Sequence, residues 1–481
     1  MKILVVGGGT AGLVSAMILR QHLEVQVDVV YSDSVGIIGV GEGSTEHFAQ
    51  FMNFVGIDNH SIIQKSDSTY KGGIMFEGWS EDPYLHNVSS RFTYKSGQYP
   101  LLYGKQISEK SSYMNSNLLW DSMLNKSHLN RAEDTPYNQY HFNTYKLNEF
   151  LVSYSKGMGI NFFEDKITDV VLNENGFIKE VKSETATYEY DFYIDATGFK
   201  RLLIGKMGAK WQSFRKYLKM NSAVVFPLED EENYNMWTRA KAMNAGWMFQ
   251  LPVWGRYGNG YIFDNDYITM DEAKQEVRDL FGKDITFGKE FTYDTGCLDK
   301  SWINNCAAIG LSSIFVEPLE ASSIGASIQQ SFLLAHRIAN YNQKSTDAYN
   351  KSYTDLTNNI RDFIALHYIT KKTNTQFWKD LSKVELPESL KSNLELWKDR
   401  LPIREDFSSL SDYIMFKEDN FILVMAGLGL FNSDEVKREY DLQAEYIQNL
   451  ANLKIQEAIN LDSEKNTITH KEALRVVRDF L

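Results

Sequence analysis

The sequence predicts an α/β fold: a mixed sheet built around a glycine-rich strand–helix turn, joined to a mainly helical part. Three observations predict it. The chain opens on a short β-run from Ile3 to Val6, then Gly7-x-Gly9-x-x-Gly12 at the start of an amphipathic helix, then a second β-run from Val25 to Tyr31. Residues 220–310 alternate as antiparallel strands, with Ala223-Val-Val-Phe226 and Gly260-Tyr-Ile-Phe263 as examples. Beyond residue 325 the pattern is almost wholly helical to Leu481. A chain of 481 residues exceeds one compact core, so two intergrown parts are expected.

The first element carries chemistry. Gly7 permits the tight turn, Gly9 lets a pyrophosphate approach the backbone, and Gly12 lets the helix pack closely on the strand. This is a Rossmann-like dinucleotide-binding start, with a ligand-free strand–helix turn as the plainer alternative. Four glycines within the first twelve residues also break the apolar core a signal peptide would need. Tyr31 and Ser32 stand where an acid would grip the ribose, and Asp33 is the available substitute. A loop follows, Gly36-Ile-Ile-Gly39-Val-Gly41-Glu42-Gly43. Residues 85–145 read as a loop-rich insertion. Patterning as α/β returns with a helix from Lys146, the alternating run Tyr188–Asp195 and the turn Asp195-Ala-Thr-Gly198-Phe199. An apolar run, Cys306-Ala-Ala-Ile-Gly310, then leads to Phe315-Val-Glu-Pro-Leu-Glu-Ala-Ser-Ser-Ile-Gly325 at the start of a helix. Free N–H groups and a partial positive charge at a helix start suit an anion or an oxygenated ring edge. Without repeats or Pro-rich linkers, the expected division is residues 1–330 for the nucleotide-binding module and 331–481 for a helical part packed on it.

Composition narrows the class. With 50 basic against 63 acidic residues the net charge is −13, which argues against a nucleic-acid partner and for a free cytoplasmic enzyme. Two cysteines, Cys297 and Cys306, exclude a disulfide framework and a cysteine zinc site, and no metal centre is expected. No apolar stretch reaches membrane-spanning length. The 28 Phe, 27 Tyr and 9 Trp supply core and could also line a pocket for a flat substrate.

Several segments together resemble the flavin-dependent halogenases of the tryptophan halogenase family. They are Gly7–Gly12, Gly39-Val-Gly41-Glu42, Ser68-Thr-Tyr-Lys71, Asp195–Phe199, Gly246-Trp-Met-Phe-Gln-Leu-Pro252, Phe315–Gly325, Arg361–Ile364 with His367-Tyr368, Thr375–Trp378 and Ala426–Leu430. The resemblance implies an FAD-binding, monooxygenase-type module and a helical substrate-binding part. It implies FAD, reduced by a separate reductase and delivered by diffusion, together with O2 and a halide. Oxidised halogen would cross an internal passage as hypohalous acid to a small, electron-rich aromatic substrate. Lys71 and Glu320 take the catalytic places. An ammonium can donate a hydrogen bond to hypohalous acid or capture its halogen, and a carboxylate can orient that species or accept the ring proton. Taken without the family, Lys71 reads as a surface residue, and Glu317 and Glu320 as caps of the following helix. The cofactor places are Gly7, Gly9, Thr10, Ala11 and Gly12, then Gly39, Val40 and Gly41, and finally Gly198, Trp247 and Gly310.

Three departures from the family pattern set further expectations. Phe249 replaces the second Trp of the Gly-Trp-x-Trp segment, which keeps ring bulk and loses an indole N–H. Ala321 and Ser323 replace the Ser and Gly that follow the Pro-Leu-Glu glutamate. A halide held by the N–H groups of Ser322 and Ser323 would then meet a reshaped site, with a Cβ constraining φ at position 323. Bromide or iodide, easier to oxidise, is expected to be used more readily than chloride. The stretch Glu405–Phe416 lacks the tyrosine pair and glutamate that hold free tryptophan, so an indole or phenol held by stacking fits better. Phe92, Tyr413 and Phe416 are the candidate substrate contacts. A flavin-dependent aromatic hydroxylase is the alternative, and homo-oligomerisation stays open.

Overall fold

A computed structural model describes residues 1–36, 42–87, 117–129, 137–462 and 466–479. The expected Gly39, Val40, Gly41 and Phe92 therefore lie outside the described residues. The nucleotide-binding sheet has six strands, in the order Trp302–Ile303, Cys306–Ala308, Phe192–Asp195, Lys2–Val6, Gln26–Tyr31, Asn161–Glu164. All neighbours pair in parallel except the antiparallel edge pair Trp302–Ile303 with Cys306–Ala308. Parallel strands are buried on both faces, which is why Ile3–Val6 reads as one apolar run instead of alternating. Helix Thr10–His22 covers this sheet and is buried continuously from Gly12 to Leu19. Its outer cover is helix Ser322–Ala335, joined to it by a buried Ser15–Ser331 hydroxyl pair at 2.9 Å. The boundary expected at residue 330 falls inside this helix, so both parts of the chain share it.

The second large sheet has seven strands, in the order Glu290–Thr292, Ser222–Leu228, Arg256–Phe263, Gly246–Val253, Trp237–Met243, Gly73–Glu77, Tyr84–Asn87. Only Trp237–Met243 and Gly73–Glu77 run parallel. Both of these differ from a simple meander because Gly73–Glu77 arrives from the N-terminal part of the chain. Helix Gln343–His367 packs on helix Ser322–Ala335 and on strand Trp302–Ile303 of the first sheet, and its C-terminal end reaches the second, where His367 and Phe363 meet the rings of Phe76 and His86. Helix Glu418–Gly427 lies beside strand Tyr84–Asn87.

Three local expectations are corrected. The run Tyr188–Asp195 is not one strand: Thr187–Tyr188 closes a small antiparallel sheet, and Phe192–Asp195 starts afresh in the parallel one. Residues 220–310 also contain a helix, Met270–Phe281, held by a Thr269/Glu272 capping box and ended by Gly282 at φ 62°. The last third is not helix throughout, because Thr467–Thr469 pairs with Met123–Asn125 and ties the C-terminal region to the insertion. No helix of the described residues is long and apolar enough to cross a membrane.

Candidate active site

The glycine-rich turn sits where the parallel strands end. Gly12 packs so closely that a Cβ would lie 2.1 Å from the Gly7 carbonyl oxygen, whereas nothing lies within 4 Å of a Cβ on Gly9. That open side fits an approaching ligand. No side chain of the described residues caps helix Thr10–His22 at Gly9, so the N–H groups of Thr10 and Ala11 are offered to an anion. Gly310, at φ +69°, closes the opposite wall; a Cβ there would be 2.5 Å from that of Ala11. The staple is Asp195, whose importance the sequence reading missed. Its buried carboxylate accepts from Thr197, Ser312 and the N–H groups of Leu203 and Ile204, at 2.7 to 3.1 Å. It thereby holds the Gly198 turn and the Gly310–Ser312 turn together. These features fit a dinucleotide such as FAD. Gly12→Ala is expected to destabilise the fold by about 2 kcal/mol and to abolish flavin binding. Denaturant unfolding and a flavin-fluorescence titration check both.

Lys71 ends strand Thr69–Lys71, in which all three residues are buried, and is itself 1% exposed. The surface reading fails because this strand is covered on both faces. Lys71 Nζ donates to the Ser44 carbonyl at 2.8 Å. Burial pushes Lys71 down to about 8, against the pull of Glu320 and then Glu46. The same short segment reaches the start of helix Ser322–Ala335, since a Cβ on Gly43 would lie 3.3 Å from the Cβ of Ala321. Residues Gly43 and Ser44 therefore stand between the lysine and the helix start expected to hold a halide.

Glu320, 2% exposed, ends the turn Pro318–Glu320. Neither it nor Glu317 caps the next helix, whose N-cap is Ala321 with no side-chain cap bond. Instead, Glu320 faces two buried imidazoles. His86 Nδ1 is 3.0 Å from both carboxylate oxygens, and His367 Nε2 is 2.8 Å from Oε1. Burial alone would raise the carboxyl; the two histidines outweigh it and hold Glu320 well below the usual carboxylate range. Close packing brings His86 there, because a Cβ on Gly73 would lie 2.7 Å from the His86 carbonyl oxygen. The sequence carried this signal as Lys71-Gly72-Gly73, and the reading passed over it.

Glu317 behaves differently on the same segment. It accepts from the Tyr368 hydroxyl and from Trp247 Nε1 (3.3 Å), and burial pushes it up to about 8, so it holds its proton at neutral pH. Trp247, fully buried, is thus fixed through its indole N–H. Phe249 keeps its ring over Gly260, where a Cβ would lie 2.5 Å away. At the halide end the strained backbone is at Ala321, φ 52°, and not at Ser323, which lies in ordinary helix. The expected constraint on φ at position 323 is therefore corrected: the turn that begins the helix is made two residues earlier. Ser322 is buried and Ser323 exposed.

The substrate candidates separate. Phe416 is buried and stacks on Phe363 at 4.1 Å, and Phe363 in turn meets the rings of His367 and His86. Tyr413 is not part of that cluster; its hydroxyl lies 2.7 Å from His336 Nδ1, beyond the far end of helix Ser322–Ala335.

An α/β module whose glycine-rich turn fits a dinucleotide, with a buried lysine, carboxylate and pair of imidazoles in the same fold, fits an oxidoreductase. The Tryptophan halogenase family profile matches residues 2–443, and the chain belongs to that family. It is a flavin-dependent halogenase acting on aromatic substrates. The chain is 30% identical over 452 residues to 7-chloro-L-tryptophan 6-halogenase KtzR of Kutzneria sp. (strain 744), covering 83% of this chain and 86% of the relative. It is 28% identical over 476 residues to tryptophan 7-halogenase RebH of Lentzea aerocolonigenes, covering 89% of each. Among solved structures, the tryptophan C-6 flavin-dependent halogenase (chlorinase) Tar14 from taromycin biosynthesis superposes with a TM-score of 0.89. It is 26% identical and covers 99% of each chain.

Proposed function

We propose that this chain halogenates an electron-rich aromatic of the indole or phenol type, using hypohalous acid made from bromide or iodide more readily than from chloride. The observation that carries the reading is the burial of Lys71 together with Glu320, each at most 2% exposed, in one electrostatically coupled group. An isolated buried charge costs several kcal/mol, so such a pair is retained in a dry interior for a reason beyond solubility. FAD, reduced by a separate reductase and held on the Gly7–Gly12 turn, supplies with O2 the oxidising equivalent that converts halide to hypohalous acid. The N–H groups of Ser322 and Ser323 offer the halide a helix start without a competing side-chain cap. Lys71, as an ammonium, donates a hydrogen bond to hypohalous acid, and Glu320 orients that species against the ring. Buried Trp247 keeps the two ends apart. Phe416 supplies the stacking surface.

The halide preference rests on Ala321 and Ser323, and free tryptophan is disfavoured because Glu405–Phe416 lacks the residues that would grip its amino-acid head. Competition at equal bromide, iodide and chloride concentrations is expected to give mainly brominated and iodinated indole. A predominantly chlorinated product overturns the preference. Oxygen incorporation without halogen would indicate the hydroxylase instead.

A further inference from the structure

The hydrogen bonds around Glu320 leave a proton to be accounted for. His367 Nδ1 lies 2.8 Å from the carbonyl oxygen of Phe363, which can only accept, so Nδ1 carries a hydrogen. His367 Nε2 lies 2.8 Å from Glu320 Oε1, a contact that also needs a proton between its two atoms. A carboxylate and a neutral imidazole together lack that proton. His86 Nδ1 already serves Glu320 from the other side, and His86 Nε2 lies 3.2 Å from Asn420 Oδ1. The three side chains are 0 to 2% exposed, so bulk water neither supplies nor removes protons freely. Among the described residues, Lys71 and Tyr84 are the other titratable groups that feel the charge of Glu320.

We infer that His367 is a positioning residue that stores one proton for Glu320, and that this proton is spent and recovered within each halogen transfer. The inference rests on the reading of Glu320 given above. As the ring attacks hypohalous acid, the C–X bond forms and the O–X bond breaks. The stored proton passes through Glu320 to the departing hydroxide, which leaves as water. The ring C–H bond then breaks, its electron pair restores aromaticity, and its proton returns through Glu320 to His367. Aromatic substrate and hypohalous acid become halogenated product and water, with no net proton exchange. A completely buried acid–base pair suits such a closed cycle.

The first test is independent of turnover. Nitrogen-15 NMR of the flavin-free protein at about pH 7 is expected to show protons on both ring nitrogens of His367; a bare Nε2 overturns the inference. The second uses His367→Gln, which keeps a donor for Glu320 but has no proton to give. Aromatic halogenation is expected to fall about 100-fold with KM nearly unchanged. Hypohalous acid captured by a diffusible thioether should still form at the wild-type rate. Wild-type halogenation by His367→Gln sinks the stored proton alone, provided Glu320→Gln is impaired. Wild-type halogenation by Glu320→Gln sinks the underlying reading of Glu320 itself. If His367→Gln does not fold, the NMR result decides.

Discussion

Lys71→Met is expected to lower halogenation at least about 1,000-fold while flavin affinity stays within about twofold. Methionine fills the buried space of the lysine stem, so the loss would report the missing ammonium and not a cavity. Lys71 Nζ donates to the Ser44 carbonyl, whereas the Gly7–Gly12 turn is built on close backbone contacts among Gly7, Gly12 and Ala196, which is why flavin binding should survive. Product mass spectrometry and a flavin titration on the same preparation test both halves. Halogenation at the normal rate with flavin bound would remove Lys71 from the mechanism. The wild-type enzyme should also show a basic limb. Burial pushes Lys71 down to about 8, and the ammonium is the active form in this reading. Turnover should therefore be flat below neutrality and fall about tenfold per pH unit well above 8. A profile that rises through this region would instead favour the neutral amine as the halogen carrier.

Glu320→Gln should be nearly as damaging, with a loss of about 100- to 1,000-fold in aromatic halogenation and little change in hypohalous acid formation. It also makes a stability prediction with a definite sign. The folded-state carboxyl titrates below its ordinary value of 4.5, because the two histidines outweigh burial. A depressed carboxyl stabilises the fold above its unfolded value and loses that contribution as pH falls. Wild-type stability should therefore decline below about pH 4.5 more steeply than that of Glu320→Gln. Denaturant unfolding at a series of acidic pH values checks this; parallel curves would mean that the histidines do not hold the charge.

Much of the nucleotide end was legible in advance, because its information is local. Gly7, Gly9 and Gly12 act through backbone space within one turn, and the apolar run after Lys2 commits to a buried strand whatever packs on it. The Met270–Phe281 helix was equally local, since Thr269 and Glu272 spell its start, yet it was submerged in a strand-rich region. The catalytic end was legible only by resemblance. Taken alone, Lys71 looks like a solvated residue and Glu320 like a helix cap. Each assignment depends on neighbours that are remote in the chain: Ser44 for Lys71, and His86 and His367 for Glu320.

By itself, then, the sequence determined the βαβ start with its glycine-rich turn, a mixed sheet, the mainly helical character of the last third and the family. Local backbone sterics and hydrophobic periodicity suffice for the fold, and ordered motifs for the family. Only the tertiary structure decided the protonation and surroundings of the two glutamates three residues apart. Glu317 meets a hydroxyl and an indole in a dry pocket and keeps its proton, whereas Glu320 meets two imidazoles and gives its proton up. Desolvation acts on both alike; the difference comes from the groups that the fold brings opposite each carboxyl.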